Sequence, residues 1–200
     1  MTLRAKNIGF ALTGSHCTYE EIWPQVQRLR DAGAEIYPIA SQAVAATNTR
    51  FGVGADIIAH FAELAGRPVI TTIVEAEPLG PRAVLDVLVI APCTGNTCAK
   101  LANAITDSAV LMAAKAQLRN GRPLVLAIST NDALGLNAKN LGVLLNTPRV
   151  FFVPFGQDNP LKKPRSLVAD MDLIAATVEY ALQGKQIQPV LIERQLREVK

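Results

Sequence analysis

A run of five apolar residues, 87–91, constrains this chain more than any other feature of its sequence. A strand built from Val-Leu-Val-Ile-Ala has no polar face, which is typical of a central parallel strand buried on both sides. Pro92 follows, and because proline has no N–H to donate to a ladder, we expect the strand to end there. The next turn, residues 94–97 (Thr-Gly-Asn-Thr), offers short polar side chains. Ligands bind beyond the carboxyl ends of such strands, so this turn is either a binding site or an ordinary helix cap.

Strand-like and helix-like periodicities alternate along the rest of the chain. The predicted strands cover residues 8–12, 35–39, 69–74, 87–91, 124–128 and 150–153. The predicted helices cover residues 18–33, 56–65, 109–120, the region around 141–145, and 171–182. Regular alternation of this kind indicates βαβ units. It predicts an α/β fold with a doubly wound, mainly parallel sheet and helices on both faces.

Local signals add detail to the helix boundaries. Residues 18–21 (Thr-Tyr-Glu-Glu) predict a capping box at the start of the first helix, and Gly33 marks its end. Pro24 falls within that helix, where we expect a kink or a late helix start. Asp107 stands where an N-cap is expected for the helix that begins at residue 109, and this structural role competes with a functional one.

Composition narrows the class of protein. The chain has 200 residues, half of them apolar, and a net charge of +3, which fits one domain over residues 1–200 and gives no argument for a nucleic-acid partner. No apolar run reaches membrane-spanning length and no signal peptide is visible, so we expect no membrane association and a cytoplasmic location. Three cysteines and two histidines without framework spacing predict neither disulfides nor a metal site.

A C-terminal tail begins at about residue 185, and its apolar cluster, 187–192, is expected to pack against another subunit or a partner chain.

Short polar residues and glycines follow four predicted strands at the point where each strand ends. They are Gly14 and Ser15, Ser41, then Thr94, Gly95, Asn96 and Thr97, and finally Ser129, Thr130 and Asn131. Because the carboxyl ends of parallel strands share one edge of the sheet, these residues predict a single ligand site. Short hydroxyls and amides beside helix starts suit a phosphate group. The chain has no P-loop and no G-x-G-x-x-G pattern, which favours a phosphorylated flat cofactor over a triphosphate or a dinucleotide.

Several segments carry a resemblance to a known family. Residues 91–97 (Ala-Pro-Cys-Thr-Gly-Asn-Thr), followed by Lys100, Asn103 and Asp107, resemble the signature of the FMN-binding flavoproteins that include cysteine decarboxylases. Within that superfamily, the chain is more similar to the B-subunit family of bacterial dipicolinate synthases. That similarity is carried by residues 13–19, 76–81, 129–137 and 154–158. The segments occur in order, each at a predicted loop, and they span nearly the whole chain.

The resemblance implies a Rossmann-like flavoprotein fold with FMN as cofactor. It also implies a homo-oligomer, either a trimer or a larger shell such as a dodecamer, in which the flavin lies between neighbouring protomers. By the same resemblance, Gly14 and Ser15 face the phosphate and Ser41 donates to it, while residues 94–97 hold the flavin and its ribityl chain. Residues 129–131 occupy the place of a Pro-Ala-Met-Asn segment that contacts substrate in the decarboxylases, and their different sequence implies a different substrate.

The activity implied by this resemblance is the oxidation of a dihydrodipicolinate-type precursor to dipicolinate during sporulation. The implied partners are a nicotinamide-binding-like A subunit of dipicolinate synthase and a small dicarboxylate substrate. One alternative is a non-catalytic scaffold or regulatory subunit of the same complex. Another is an FMN-dependent decarboxylase-like enzyme, but those enzymes carry a catalytic histidine where this chain reads Glu75-Ala-Glu-Pro-Leu-Gly-Pro81, without histidine.

Three residues are candidate acid-base groups. His16 stands at a helix start just after Gly-Ser, where an imidazole can exchange protons with a ligand in the cleft. Glu75 and Glu77 are two residues apart on a stretch expected to be extended, so they share a face and can act as a base and its orienting partner. Each of the three has a structural alternative, as a polar residue of a helix start or as a solvated carboxylate. The basic residues 162–165 are expected in a loop, which is either solvated or closes over an anionic substrate.

Overall fold

The apolar run forms the centre of a parallel β-sheet. The computed structural model describes residues 3–193. Its strands are β1 Asn7–Leu12, β2 Glu35–Ala40, β3 Val87–Cys93, β4 Leu124–Thr130, β5 Val150–Phe152, β6 Phe155–Asn159 and β7 Lys163–Ala169. All seven residues of β3 are buried, as expected for a strand with a neighbour on either side and helices over its faces.

Eight α-helices surround the sheet in the described part of the chain. They are α1 Tyr19–Asp31, α2 Gln42–Ala46, α3 Gly54–Ala65, α4 Ile73–Ala76, α5 Gly95–Ala102, α6 Ala109–Arg119, α7 Ala138–Leu145 and α8 Ile174–Leu182. Short 3₁₀ helices cover His16–Thr18, Glu77–Leu79 and Met171–Leu173. Within residues 3–193, no helix combines the length and the apolar character needed to cross a bilayer.

The strand order places the ligand edge. Strands β1 to β5 are parallel and lie in the order β2-β1-β3-β4-β5, so the order reverses between β1 and β3. Strand β7 pairs antiparallel with the last two residues of β4, and β6 lies outside β7. The predicted α/β fold with a mainly parallel sheet is therefore confirmed. The antiparallel hairpin of β6 and β7 was not predicted, and it puts Lys163 and Arg165 on a strand rather than in a loop.

Two strand predictions were wrong in detail. Strand β3 does not end at Pro92 but continues to Cys93, because the register shifts between Ile90 and Cys93 and the proline needs no ladder partner. Residues 69–74 do not form a strand: only Ile70 makes a bridge, to Ile39 of β2. The chain then turns into α4, so the apolar residues there do not extend the sheet.

The first helix also differs from its prediction. Thr18 does not cap it, since the Thr18 hydroxyl donates to the Ser15 carbonyl oxygen at 2.8 Å and a 3₁₀ turn precedes the helix. Helix α1 begins at Tyr19 and continues through Pro24 to Asp31, so proline does not delay its start. The predicted N-cap of α6 was wrong by one residue: Ser108 accepts from the Leu111 N–H at 3.2 Å, while Asp107 pairs with Lys100.

The C-terminal tail lies along its own sheet as far as residue 192. The Gln186 side chain accepts from the Phe152 N–H and donates to the Phe152 carbonyl, each at 2.7 Å, and so takes the place of a neighbouring strand beside β5. Phe155 of β6 exchanges backbone hydrogen bonds with Val190 and Ile192, both at 3.0 Å. Because edge strands present unpaired backbone groups, this arrangement covers two edges within the chain. The backbone of the apolar segment thus pairs with its own chain, while the Leu191 side chain stays 66% exposed. Its packing against another subunit stays a prediction, and residues 194–200 lie outside the described part.

We predict that Gln186→Ala destabilises the protein by about 1–3 kcal/mol, because it leaves the N–H and carbonyl of Phe152 without partners. The measurement is the midpoint of urea unfolding. Gln183→Ala is the matched control, since Gln183 is exposed and its loss is expected to cost less than about 0.5 kcal/mol. Equal midpoints for the two variants would show that the Gln186 amide does not stabilise the β5 edge.

Candidate functional site

A buried threonine joins the loops after β1 and β3. The Thr13 hydroxyl donates to the Pro92 carbonyl at 2.5 Å and accepts from the Thr94 N–H at 3.1 Å. The Tyr19 hydroxyl in turn donates to the Thr13 carbonyl at 2.9 Å. Thr13 is 1% exposed, so these bonds do not compete with water. They fix the two loops at the point where the strand order reverses, which is where ligands of open α/β sheets bind.

A second contact joins the loop after β1 to the end of β4. The hydroxyl oxygens of Ser15 and Ser129 lie 2.8 Å apart, and Ser129 is buried. An ideal Cβ on Gly14 would lie 3.9 Å from the Ala43 Cβ, which places the start of α2 beside the same loop. The structure therefore brings four predicted segments to one edge, which we call the cradle: residues 14–15, Ser41, 94–97 and 129–131. Gly14, Asn96 and Asn131 are exposed or partly exposed, so the cradle is open to solvent.

Ser41 is the least satisfied polar group of the cradle. It stands at the N-cap position of α2, yet its side chain caps no N–H there. Its hydroxyl oxygen is buried and has no hydrogen-bond partner. Buried polar atoms are nearly always paired, so an orphan at a ligand edge indicates that a ligand supplies the partner. Helix α2 has no acidic residue in its first turn, which keeps its start favourable for an anion.

The turn after β3 is shaped by its own helix. Thr94 caps α5: its hydroxyl oxygen accepts from the Thr97 N–H at 3.3 Å and lies 3.1 Å from the Thr97 hydroxyl. Thr97 is buried, whereas Asn96 projects from the first turn and is exposed. The capping interpretation thus holds for Thr94. Asn96 is the residue of this turn whose side chain is left available to a ligand.

Gly95 is packed against the loop after β4. An added Cβ would lie 2.5 Å from the Thr130 hydroxyl oxygen, 2.8 Å from Asn137 Nδ2 and 2.9 Å from Asp132 Oδ1. These distances are too short for any side chain. The glycine therefore allows the β4 loop to approach α5, and the buried Gly95 is enclosed by protein atoms rather than facing a ligand.

Asp132 is a site residue that the sequence analysis missed. Its carboxylate accepts from the Thr130 hydroxyl at 2.8 Å and from Asn137 Nδ2 at 2.9 Å on each oxygen. The amide chain continues, because Asn140 donates to Asn137 at 2.8 Å and Asn103 donates to Asn140 at 3.3 Å. The sequence analysis assigned residues 129–131 to the ligand edge but considered residues 132–137 only for their resemblance. An acidic residue beside three short polar ones at a strand end was the signal that could have identified Asp132.

His16 lies at the cradle in the 3₁₀ turn after Ser15. Its Nδ1 is buried without a partner, and its ring centroid lies 5.1 Å from that of Tyr19. Burial lowers the pKa of His16 below its ordinary value of 6.5, because desolvation disfavours the imidazolium. The ring is therefore mainly neutral at pH 7 and able to accept a proton.

The two glutamates predicted as an acid-base pair lie away from the bonds that build the cradle. Glu75 forms a capping box with Thr72, and its carboxylate accepts from the N–H groups of Thr71 and Thr72 at 2.9 and 3.0 Å. These backbone donors lower the pKa of Glu75. Glu77 starts the next 3₁₀ helix and is exposed. The stretch is helical rather than extended, so the shared face assumed for the two carboxylates was wrong.

The buried cysteines near the cradle are not reactive groups. Burial raises the pKa of Cys93, and burial together with the nearby Asp132 raises the pKa of Cys98 to about 11. Both thiols therefore remain protonated at neutral pH.

In the segment predicted as a basic loop, Lys163 pairs with Asp158 at 2.8 Å across the hairpin.

We predict that Gly95→Ala destabilises the protein by about 1–3 kcal/mol, since the methyl group would force the β4 loop away from α5. Gly142→Ala is the control, because nothing lies within 4 Å of its added Cβ and it sits within helix α7. That change is expected to stabilise the chain by about 0.5–1 kcal/mol. Unfolding midpoints in urea measure both effects, and a harmless Gly95→Ala would contradict the close packing.

Comparisons with known proteins agree with the fold of this chain. The sequence model of the Flavoprotein family matches residues 1–180. The chain is 58% identical over 192 residues to the B subunit of dipicolinate synthase from Bacillus subtilis (strain 168), which covers 96% of each chain. It is 52% identical to the crystal structure of the B subunit of dipicolinate synthase from Bacillus halodurans C, with a TM-score of 0.90 over 98% of this chain and 100% of that one.

A more distant structure supports the fold alone. The FMN-dependent cysteine decarboxylase SpaF is 17% identical, with a TM-score of 0.62 over 92% of this chain and 99% of that one. The matches to the two dipicolinate synthase proteins, by contrast, combine high identity with nearly complete coverage of both chains. The chain belongs to the Flavoprotein family and, within it, groups with the B subunits of dipicolinate synthases.

Proposed function

We propose that this chain binds FMN in the cradle and serves as the flavin-carrying subunit of a dipicolinate synthase. The observation that carries the proposal is the buried, unpaired hydroxyl of Ser41 at the edge where the strand order reverses. Membership of the Flavoprotein family supports the choice of flavin. The kinship with the B subunits of dipicolinate synthases supports the choice of reaction. We assign to the chain the oxidation of a dihydrodipicolinate-type precursor to dipicolinate, in sporulating cells.

The charges of the cradle favour one orientation of the cofactor. The start of α5 already faces the Asp132 carboxylate, which repels a second anion. Ser15 bonds to the hydroxyl of Ser129, and α2 has no acidic residue in its first turn, so the Ser41 side of the cradle takes the phosphate. The turn of residues 94–97 then lines the ribityl and ring end, with Asn96 as its available side chain, and residues 129–131 lie towards the substrate.

FMN, when bound, supplies a two-electron acceptor for a ring that becomes aromatic by losing a hydride and a proton. The protein binds the ring, orients it and accepts the proton. We assign the proton to His16, whose lowered pKa leaves the ring unprotonated at neutral pH. The carbonyl of Arg165 on β7 accepts from the Leu134 N–H at 3.0 Å, which ties β7 to the β4 loop, and we assign the Arg165 guanidinium to one substrate carboxylate.

The open cradle supports an assembled enzyme. With Gly14, Asn96 and Asn131 accessible to solvent, a bound flavin would remain partly in water unless another chain covers it. We therefore propose a homo-oligomer, a trimer or dodecamer, that works with a nicotinamide-binding-like A subunit. A purely scaffolding role differs from this proposal by predicting no FMN binding. A decarboxylase role is less consistent with the chain, because residues 75–81 form capped helical turns and hold no histidine.

We predict that Ser41→Ala weakens FMN binding about 10- to 100-fold, the value of one hydrogen bond to a charged group. Riboflavin, which lacks the phosphate, should bind wild type and variant equally. Titration followed by visible absorbance measures both ligands. Equal loss of FMN and riboflavin affinity would contradict the assignment of Ser41 to the phosphate, and no binding of either by the wild type would favour the scaffold.

Ser108→Ala provides the control for that experiment. Ser108 is also a serine at a helix start, but its hydroxyl is already used to cap α6. Its replacement should lower the free energy of unfolding by about 1 kcal/mol and leave FMN affinity unchanged. Ser41→Ala should weaken FMN binding and leave the free energy of unfolding unchanged, because the Ser41 hydroxyl makes no hydrogen bond within the chain.

We predict that His16→Asn lowers turnover about 10²- to 10⁴-fold while FMN stays bound. In the wild type, activity should fall as the pH drops below 6.5 through the lowered pKa of His16, because protonation removes the base. This acid limb should be absent from the variant. His60→Asn is the control, since His60 is exposed and packs edge-on against Trp23 at 5.0 Å. An unchanged acid limb in His16→Asn would exclude His16 as the base.

A further inference from the structure

The carboxylate of Asp132 is held at the positive end of a helix rather than by a cation. Its Oδ1 would lie 2.9 Å from a Cβ on Gly95, the first residue of α5. The first N–H groups of a helix have no partner within the helix and favour negative charge. Among residues 3–193, no Lys, Arg or His forms a salt bridge with Asp132. Its charge is therefore balanced by neutral donors and a helix end.

The neutral donors form a chain of hydrogen bonds in which each amide donates in the direction of Asp132. Asn137 donates its amide N–H to Asp132, so its oxygen is free to accept from Asn140, whose oxygen accepts from Asn103. Asn103 is the C-cap of α5 and also donates to the Ala99 carbonyl at 2.7 Å. A carboxylate at the head accepts only, and this fixes the direction of every amide. These hydrogen bonds tie the β4 loop, through α7, to the C-terminal end of α5. At the start of α5 the β4 loop is held by close packing against Gly95.

We propose that Asp132 is a positioning residue that fixes the β4 loop on α5. We further propose that its carboxylate places a negative charge in the cradle, which lowers the reduction potential of the bound flavin. The redox part rests on the proposed function. A fixed negative charge in a partly buried site disfavours added electron density on a neighbouring group. The charge cannot move away, because three hydrogen bonds and the packing against Gly95 hold it.

The test compares two variants at Asp132 with one at a distant carboxylate. Asp132→Asn removes the charge with little change of shape, and Asp132→Glu keeps the charge. Asp107→Asn is the control: it also removes one negative charge, but from a carboxylate that lies beyond the end of α5 and pairs with Lys100. The midpoint potential of bound FMN is measured during stepwise reduction with dithionite against a reference dye.

The expected result is a more positive potential for Asp132→Asn, a potential near wild type for Asp132→Glu, and no change for Asp107→Asn. An unchanged potential in Asp132→Asn with FMN bound would overturn the redox role. An equal shift in Asp107→Asn would also overturn it, since net charge alone would then explain the effect.

A flavin-free measurement separates this proposal from the proposed function. Without FMN, Asp132→Asn should lower the melting temperature by roughly 5 °C, because an amide at position 132 places a second NH₂ group against Asn137. Asp107→Asn should melt within about 1 °C of wild type, because exposed ion pairs contribute little. Equal melting of the two variants overturns the positioning role. If the wild type binds no FMN, the proposed function and the redox role both fail, while the melting temperatures still decide the positioning role.

Discussion

The buried hydroxyl of Thr13 is the contact on which the rest of the site depends. It bonds to Pro92 and Thr94 at once, and Tyr19 holds the carbonyl of the same residue. Parallel strands alone would leave their carboxyl-end loops free to separate, since no backbone ladder crosses that edge. Thr13 closes the gap between β1 and β3 with bonds that water cannot reach. The Ser15–Ser129 contact then extends the closed edge to β4.

The charges of the cradle are arranged in two halves. On the β4 side, Asp132 occupies the start of α5 and is surrounded by hydroxyl and amide donors. On the β2 side, Ser41 has a buried hydroxyl without a partner. An elongated ligand with one anionic end is oriented by such a pattern, because its charge is repelled from one half and hydrogen-bonded in the other. This is the physical basis for placing a phosphate near Ser41 and a redox-active ring near Asp132.

The sequence predicted the parallel sheet and the polar turns at its carboxyl edge because both depend on simple periodicity. Residues 87–91 suit only a buried environment, and hydroxyl-rich turns follow strand ends where the parallel order requires them. Contacts between side chains could not be predicted from the sequence. The position of Asp132 depends on its contacts with Gly95 and Asn137, which only the folded chain brings together. Glu75 was misjudged because a local capping box turned an apparently extended stretch into a helix. The backbone pairing of the tail with Phe155 was not predicted, because it cannot be inferred from apolar composition.

The measurement that tests this account most directly is a crystal structure of the protein grown with FMN. We predict that the phosphate lies within hydrogen-bond distance, about 2.7–3.2 Å, of the Ser41 hydroxyl, with the flavin ring on the Asn96 and Asp132 side. A phosphate at the start of α5, next to Asp132, would contradict the division of charge in the cradle. Absence of FMN from the cradle at saturating concentration would contradict the cofactor site itself.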